Sequence, residues 1–156
     1  MTAILRLTHV GLCVSDLSRA LAFYRDLLGF TVLGELQMAG EPTATLLGLP
    51  DVDLHAVYVE RDGVRIELLH YRRPGVVEGT APRPMNAPGL THLSLRVEDL
   101  PGLLDRLRSA GVRVLEDRRI DLPAVPAGAA FVCDPDGTLI ELVEAPGDPA
   151  ALPGQG

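Results

Sequence analysis

The chain runs through one pattern twice, and this limits its possible folds more than any other feature. The segment Leu7-Thr8-His9-Val10-Gly11-Leu12-Cys13-Val14-Ser15-Asp16-Leu17 returns as Leu90-Thr91-His92-Leu93-Ser94-Leu95-Arg96-Val97-Glu98-Asp99-Leu100, 83 positions later. The match continues at Leu21 with Leu104 and Arg25 with Arg108, then slips by one so that Gly29 meets Gly111 and Val32 meets Val114. A second block closes each half, Asp62-Gly63-Val64-Arg65-Ile66-Glu67-Leu68 against Asp136-Gly137-Thr138-Leu139-Ile140-Glu141-Leu142. Self-similarity at a fixed offset marks a duplicated structural unit. Chance rarely puts a His at the start and a Glu at the end of both copies.

Each copy can be read for structure. Leu7 to Val14 alternates as a strand, with Thr8, Val10, Leu12 and Val14 on one face and Leu7, His9, Gly11 and Cys13 on the other. A helix follows, capped by Ser15 or Asp16, with Leu17, Leu21, Tyr24 and Leu28 as its apolar stripe and Gly29 at its end. In the second copy Asp99 caps, Pro101 sits in the first turn, Leu100, Leu104 and Leu107 form the stripe, and Gly111 ends it. Three more strands are predicted in each copy: about 30–36, 54–60 and 64–71, then 112–117, 129–133 and 138–144. Asp62-Gly63 and Asp136-Gly137 are the turns. The expected fold is α+β: two tandem βαβββ modules with a helix packed behind each half, since one module alone leaves a sheet face bare. The first module spans 4–71 and the second 89–145. Residues 72–88, rich in Pro and Gly, read as the linker, 37–53 as an extra loop of the first module, and 147–156 as a disordered tail.

Composition narrows the function classes. A chain of 156 residues, 47% hydrophobic, suits one domain made of the two modules. A formal charge of −7 without a basic run gives no footprint for nucleic acid. All 14 basic residues are Arg, so lysine Schiff-base chemistry is out. Cys13 and Cys133, far apart in apolar stretches, read as reduced thiols. With no signal-peptide pattern and no membrane-length apolar run, the expectation is a cytoplasmic protein with no membrane partner.

His9, Glu67, His92 and Glu141 are polar residues in otherwise apolar strands, at equivalent places in the two copies. A lone strand His or Glu is usually a satisfied or solvent-facing side chain. The duplication changes this, because a pseudo-twofold axis would bring all four together. Two neutral imidazoles and two carboxylates balance a divalent cation, and the mixed nitrogen and oxygen set suits Ni, Co, Zn, Mn or Fe.

Thr8-His9-Val10-Gly11-Leu12, Phe23-Tyr24-Arg25-Asp26-Leu27-Leu28-Gly29-Phe30, Ile66-Glu67-Leu68, Thr91-His92-Leu93-Ser94-Leu95 and the run Asp134 to Leu142 resemble the vicinal oxygen chelate superfamily. It includes glyoxalase I, methylmalonyl-CoA epimerase, extradiol dioxygenases and the fosfomycin- and bleomycin-resistance proteins. The resemblance covers about 4–145. It implies a cup-shaped mixed sheet around the metal, a glyoxalase-like fold, and a homodimer. The set His9, Glu67, His92, Glu141 looks like glyoxalase I, whereas the epimerases usually carry Gln where this chain has Glu67. The Arg and Asn with which glutathione-using enzymes follow their first and second ligands are replaced here by Cys13 and Tyr71. This argues against a grip on glutathione.

The resulting expectation is a metal-dependent isomerase or lyase, acting on a small vicinally oxygenated substrate through an enolate-type intermediate. Glu67 and Glu141 are the candidate catalytic carboxylates, with Glu67 the more labile ligand. Arg96, four residues after His92, is positioned to meet a substrate carboxylate or phosphate. Cys13, His55 and Tyr71 are the candidate pocket-lining residues, Tyr58 and Met38 read as packing or pocket wall, and His70 has the parity opposite Glu67. Loops 37–53 and 121–128 form the expected rim. Two alternatives stay open. One is an Fe- or Mn-dependent ring-cleaving dioxygenase using His9, His92 and Glu141; the other is a non-catalytic binding protein of the antibiotic-resistance type.

Overall fold

The alternation and capping signals become eight strands and three helices in the computed structural model, which describes residues 3–77, 84–122, 124–125 and 127–152. The chain divides into two compact units, Met1–Thr80 and Ala81–Gly156.

The first unit runs β1 (Val10–Cys13), α1 (Leu17–Leu21), a π-helical continuation (Ala22–Leu27), β2 (Thr31–Ala39), α2 (Thr43–Leu47), β3 (Asp53–Arg61) and β4 (Val64–Arg73). Its sheet order is β1-β4-β3-β2, with β1 parallel to β4 and the other pairs antiparallel. The β3–β4 hairpin closes through Asp62 and Gly63, both at positive φ (53° and 81°), the backbone of a tight turn whose twist matches the strands. β1 is shorter than the predicted strand because only Val10–Cys13 finds partners, at Ile66–Leu69 of β4.

The first helix departs from its expected stripe. Asp16 caps it by accepting from the Arg19 N–H at 2.9 Å. Beyond Leu21 the turn widens, and the Leu28 N–H reaches back five residues to the Phe23 carbonyl at 3.0 Å. The buried face is therefore Ala20, Phe23, Tyr24 and Leu28, whereas Leu17 and Leu21 are only half-buried. Edge-to-face contacts join Tyr24 to Phe23 and Phe30. α1 packs on β4, where Ile66 and Leu68 point inward beside Val57 and Val59 of β3.

Residues 37–53 are not the expected bare loop. β2 continues to Ala39, and α2 then forms and stops at Gly48 in the left-handed region. Its buried Ala44 joins Val52 and Leu54 in a small second core, packed by Met38, Leu49, Leu69 and Tyr71. A five-residue helix is too short to show a helical period in sequence.

The second unit repeats the plan as β5 (Leu93–Arg96), α3 (Leu100–Ser109), β6 (Arg113–Leu122), β7 (Ala127–Cys133) and β8 (Leu139–Glu144), in the order β5-β8-β7-β6. Asp99 caps α3 through the Gly102 N–H. Leu100, Leu104 and Leu107 are buried, as their spacing predicts, and α3 packs on β8 and β6. The Asp134 carboxylate accepts from the Asp136 and Thr138 N–H groups and so shapes the turn before β8.

Of the predicted linker, Arg72 and Arg73 belong to β4, and residues 78–83 lie outside the described residues. So do Pro123 and Pro126 of the second rim loop and residues 153–156 of the predicted tail. Among the described residues, no helix is long and apolar enough to cross a membrane.

Candidate functional site

Strand register positions the first pair. Glu67 on β4 stands beside Gly11 of β1 and opposite Tyr58 of β3. The Tyr58 hydroxyl donates to Glu67 Oε1 at 2.6 Å, and His9 Nε2 lies 3.1 Å from Glu67 Oε2. The His9 ring meets the Tyr58 ring edge-on, with centroids 5.4 Å apart. Glu67 is thus gripped from both sides and is 8% exposed, one of the few buried charged groups. The hydrogen bond to Glu67, with burial and the nearby carboxylate charge, pushes the Tyr58 phenol up to about 12.

The second pair follows the same plan with other donors. Glu141 on β8 stands beside Ser94 of β5 and opposite Phe131 of β7. His92 Nε2 lies 3.6 Å from Glu141 Oε2, and the His92 ring is edge-on to Phe131. Phe131 has no hydroxyl to offer, and Ser94 instead donates to Glu141 Oε2 at 2.7 Å. In both units a threonine holds the far side of the imidazole: Thr8 Oγ1 is 2.9 Å from His9 Nδ1, and Thr91 Oγ1 is 2.8 Å from His92 Nδ1. A hydroxyl accepts as well as donates, so each Thr can accept a hydrogen bond from Nδ1–H and leave Nε2 as a lone-pair donor.

These groups fit a divalent cation. Two donors each about 2.1 Å from one ion lie roughly 3.0–3.4 Å apart at tetrahedral to octahedral angles. The His–Glu separations of 3.1 and 3.6 Å are near that span, and nitrogen with carboxylate oxygen is the donor set of such ions. Among the described residues no group of three or more His, Cys, Asp or Glu is gathered for a metal, so each unit by itself offers a pair.

A cleft of about 400 Å³ opens on the Glu67 side of the first sheet, lined by Thr8, His9, Leu33, Gly34, Glu35, Leu36, Tyr58 and Arg65. Its floor is apolar at Leu33 and Leu36, with His9, Tyr58 and Arg65 as polar groups, the mixture of a small-molecule pocket.

The other predicted site residues divide. Cys13 is exposed and, two residues beyond Gly11, lies on the Glu67 face. Tyr71 shares that face but is drawn into the small core under α2. Burial, then the charges of Cys13 and Glu67, raise its phenol. His55 does not join them: it stands opposite His70 on the other face of the sheet, with Nε2 2.9 Å from Glu35 Oε2. Position 55 is an odd number of residues from Tyr58, and strand alternation turns it away. His70 faces the helix side, 3.3 Å from the Val14 carbonyl oxygen. Arg96 is on the Glu141 face, yet its Nη2 donates to the Ala145 and Pro146 carbonyls at 2.6 and 2.8 Å, tying down the chain beyond β8. Sequence reading missed the hydrogen bonds of Tyr58 and Ser94 to the two carboxylates and the place of Arg65 at the cleft. Thr8 and Thr91 were visible in the repeat, each directly before a His.

The profile of the Glyoxalase/Bleomycin resistance protein/Dioxygenase superfamily matches residues 6–142. The chain belongs to that superfamily. It is 32% identical over 139 residues to an ethylmalonyl-CoA/methylmalonyl-CoA epimerase of Cereibacter sphaeroides, covering 88% of this chain and 96% of the relative. It is equally 32% identical over 139 residues to a probable lactoylglutathione lyase of Synechocystis, covering 88% and 94%. A glyoxalase family protein from Bacillus cereus shares the fold, with a TM-score of 0.77 at 23% identity over 94% of this chain and 97% of that one. Superfamily membership and this likeness bear out the α+β fold of two four-stranded mixed sheets.

Proposed function

We propose that the chain is an isomerase or lyase of this superfamily that moves a proton next to a carbonyl, with Glu67 as the proton carrier. The observation that carries this reading is the placement of Glu67, buried between His9 Nε2 and the Tyr58 hydroxyl beside the cleft. The relatives named as an epimerase and a lyase support the reaction class.

His9, Glu67, His92 and Glu141 would hold the divalent cation, with Thr8 and Thr91 orienting the imidazoles. When bound, the cation supplies Lewis-acid polarisation of a substrate carbonyl oxygen. The remaining work belongs to the chain. The exposed apolar side chains of Leu33 and Leu36 offer a surface for the carbon skeleton of the substrate. Glu67 takes the proton from the carbon beside the carbonyl and returns it to the same carbon from the other face, or to the neighbouring carbon; no electrons are gained or lost overall. Tyr58 donates to Oε1 and so fixes the carboxylate of Glu67 with Oε2 turned toward His9 Nε2. Glu141, held by Ser94, keeps the constant ligand role.

The test is deuterium uptake from heavy water into 2-oxo, 2-hydroxy and 2-carboxyacyl thioesters, followed by NMR, under nitrogen. Exchange by the wild type is expected. Glu67→Gln, which retains a ligand oxygen, should slow it about 10²–10⁴-fold while metal content persists. Full exchange by Glu67→Gln would remove Glu67 from the proton transfer. Oxygen consumption with catechols, or binding without exchange, would replace the proposed reaction.

A further inference from the structure

The geometry points to Arg65 as an oxyanion-binding residue in the cleft of the first unit, a subsite for a carboxylate or phosphate of the substrate. The inference rests on the proposed reading only for what molecule carries that oxyanion. Arg65 lies on β4, two residues before Glu67, and so shares its face of the sheet about 6.4–6.8 Å away along the strand. It lines the cleft with His9 and Tyr58 and is half-buried. Among the described residues it makes no hydrogen bond or salt bridge.

The carboxylates nearest in register are committed elsewhere. Glu60, directly across the ladder from Arg65, accepts the Gly63 N–H of the hairpin turn at 2.5 Å. Glu35, also at the cleft, is held by His55 at 2.9 Å. The guanidinium therefore faces the cleft with its donors unspent, in a protein where Arg61, Arg72, Arg73, Arg108 and Arg119 are each paired with a carboxylate.

The repeat shows that the sheet does not need a cation there. The equivalent position of the second unit is Leu139, 8% exposed, which packs as an ordinary strand residue. A guanidinium presents a planar fork that matches carboxylate or phosphate through two parallel hydrogen bonds, and a partly desolvated cleft strengthens them. The ligand class is then a small acyl compound with an anionic group a few atoms from the carbon that Glu67 serves. That group is either a carboxylate on the acyl part or a phosphate on its carrier.

Calorimetric binding to the metal-loaded protein separates the two sources with three probes: methylmalonyl-pantetheine, which has the carboxylate and no phosphate, its neutral methyl ester, and coenzyme A, which has phosphates and no acyl carboxylate. Arg65→Gln should weaken one of the two anionic probes about 10–100-fold and leave the neutral ester unchanged, and the probe that suffers identifies the source. Arg65→Lys, which keeps the charge without the fork, should fall between. Should Arg65→Gln not fold, Arg65→Lys carries the same comparison. Unchanged binding of both anionic probes by the variants overturns the subsite and leaves the role of Glu67 untouched. Loss of oxyanion binding in a protein that exchanges no deuterium keeps the subsite and removes the proposed reaction.

Discussion

The two units build the same His–Glu pair and then treat it differently. In both, a Thr sits behind the imidazole and the Glu occupies the centre of the sheet between a parallel and an antiparallel neighbour. In the first unit those neighbours are Gly11 and Tyr58, and the hydrogen bond to the carboxylate comes from the antiparallel side. In the second they are Ser94 and Phe131, and it comes from the parallel side. The side-chain exposure of the two carboxylates also differs, 11% for Glu67 and 27% for Glu141. What the units share is the His–Glu pair with a Thr behind the imidazole. What differs in the first unit is a phenol bonded to a buried Glu, with a cleft and Arg65 beside it. Duplication supplied two His–Glu pairs, and divergence at a few register positions gave them different surroundings.

The helices behind the sheets show the same divergence in packing. α3 keeps a regular stripe, and Leu104 at its centre is fully buried. α1 widens into a π-helical turn, so that Leu17 is left half-buried while Phe23 and Tyr24 take the core. Leu104→Ala should cost about 2–5 kcal/mol in urea unfolding, from lost apolar contact and the cavity left behind. Leu17→Ala should cost less than about half of that. Equal losses would mean that the two helices bury equivalent faces after all.

A smaller effect is expected where the pairs themselves are made alike. Tyr58→Phe gives the first unit the Phe131 arrangement, removes the donor to Glu67 Oε1, and should slow deuterium exchange about tenfold, or about 1.4 kcal/mol. Exchange at the wild-type rate would reduce Tyr58 to cleft wall. The same variant has a signature in the metal-free protein. Tyr58 is raised from the ordinary 10.0 to about 12, so the folded state holds a proton that the unfolded chain has released across that window. Its contribution to stability is complete below about pH 10 and is lost as pH rises through about 12. Tyr58→Phe should flatten that decline and remove a phenolate transition near pH 12 from the ultraviolet absorbance titration.

Much of this was legible in the sequence because repetition exposes what single residues hide. His9, Glu67, His92 and Glu141 stood out only because both copies carry them, and Asp62-Gly63 and the caps Asp16 and Asp99 followed local chemistry that needs no tertiary context. The rest depended on register. Tyr58 reads as packing or pocket wall until the ladder sets it opposite Glu67, and Arg65 carries no signal of its own until Glu60 is seen turned toward the hairpin. Arg96 had the right face, but the chain beyond β8 claimed its guanidinium. His55 was misplaced by one face, because parity along a strand is fixed only once its partner is known. The π-helical turn and the five-residue α2 escaped because neither is long enough to show a period of its own.

The proposed function requires the His–Glu pairs to act as ligands to a divalent cation. Metal analysis of protein purified without a chelating tag tests this most directly, with His9→Ala and His92→Ala beside the wild type. One equivalent of a divalent cation per chain, lost in both variants alike, is the predicted result. Full occupancy after removal of either histidine, or no cation taken up by the wild type from a panel of Ni, Co, Zn, Mn and Fe, would contradict it.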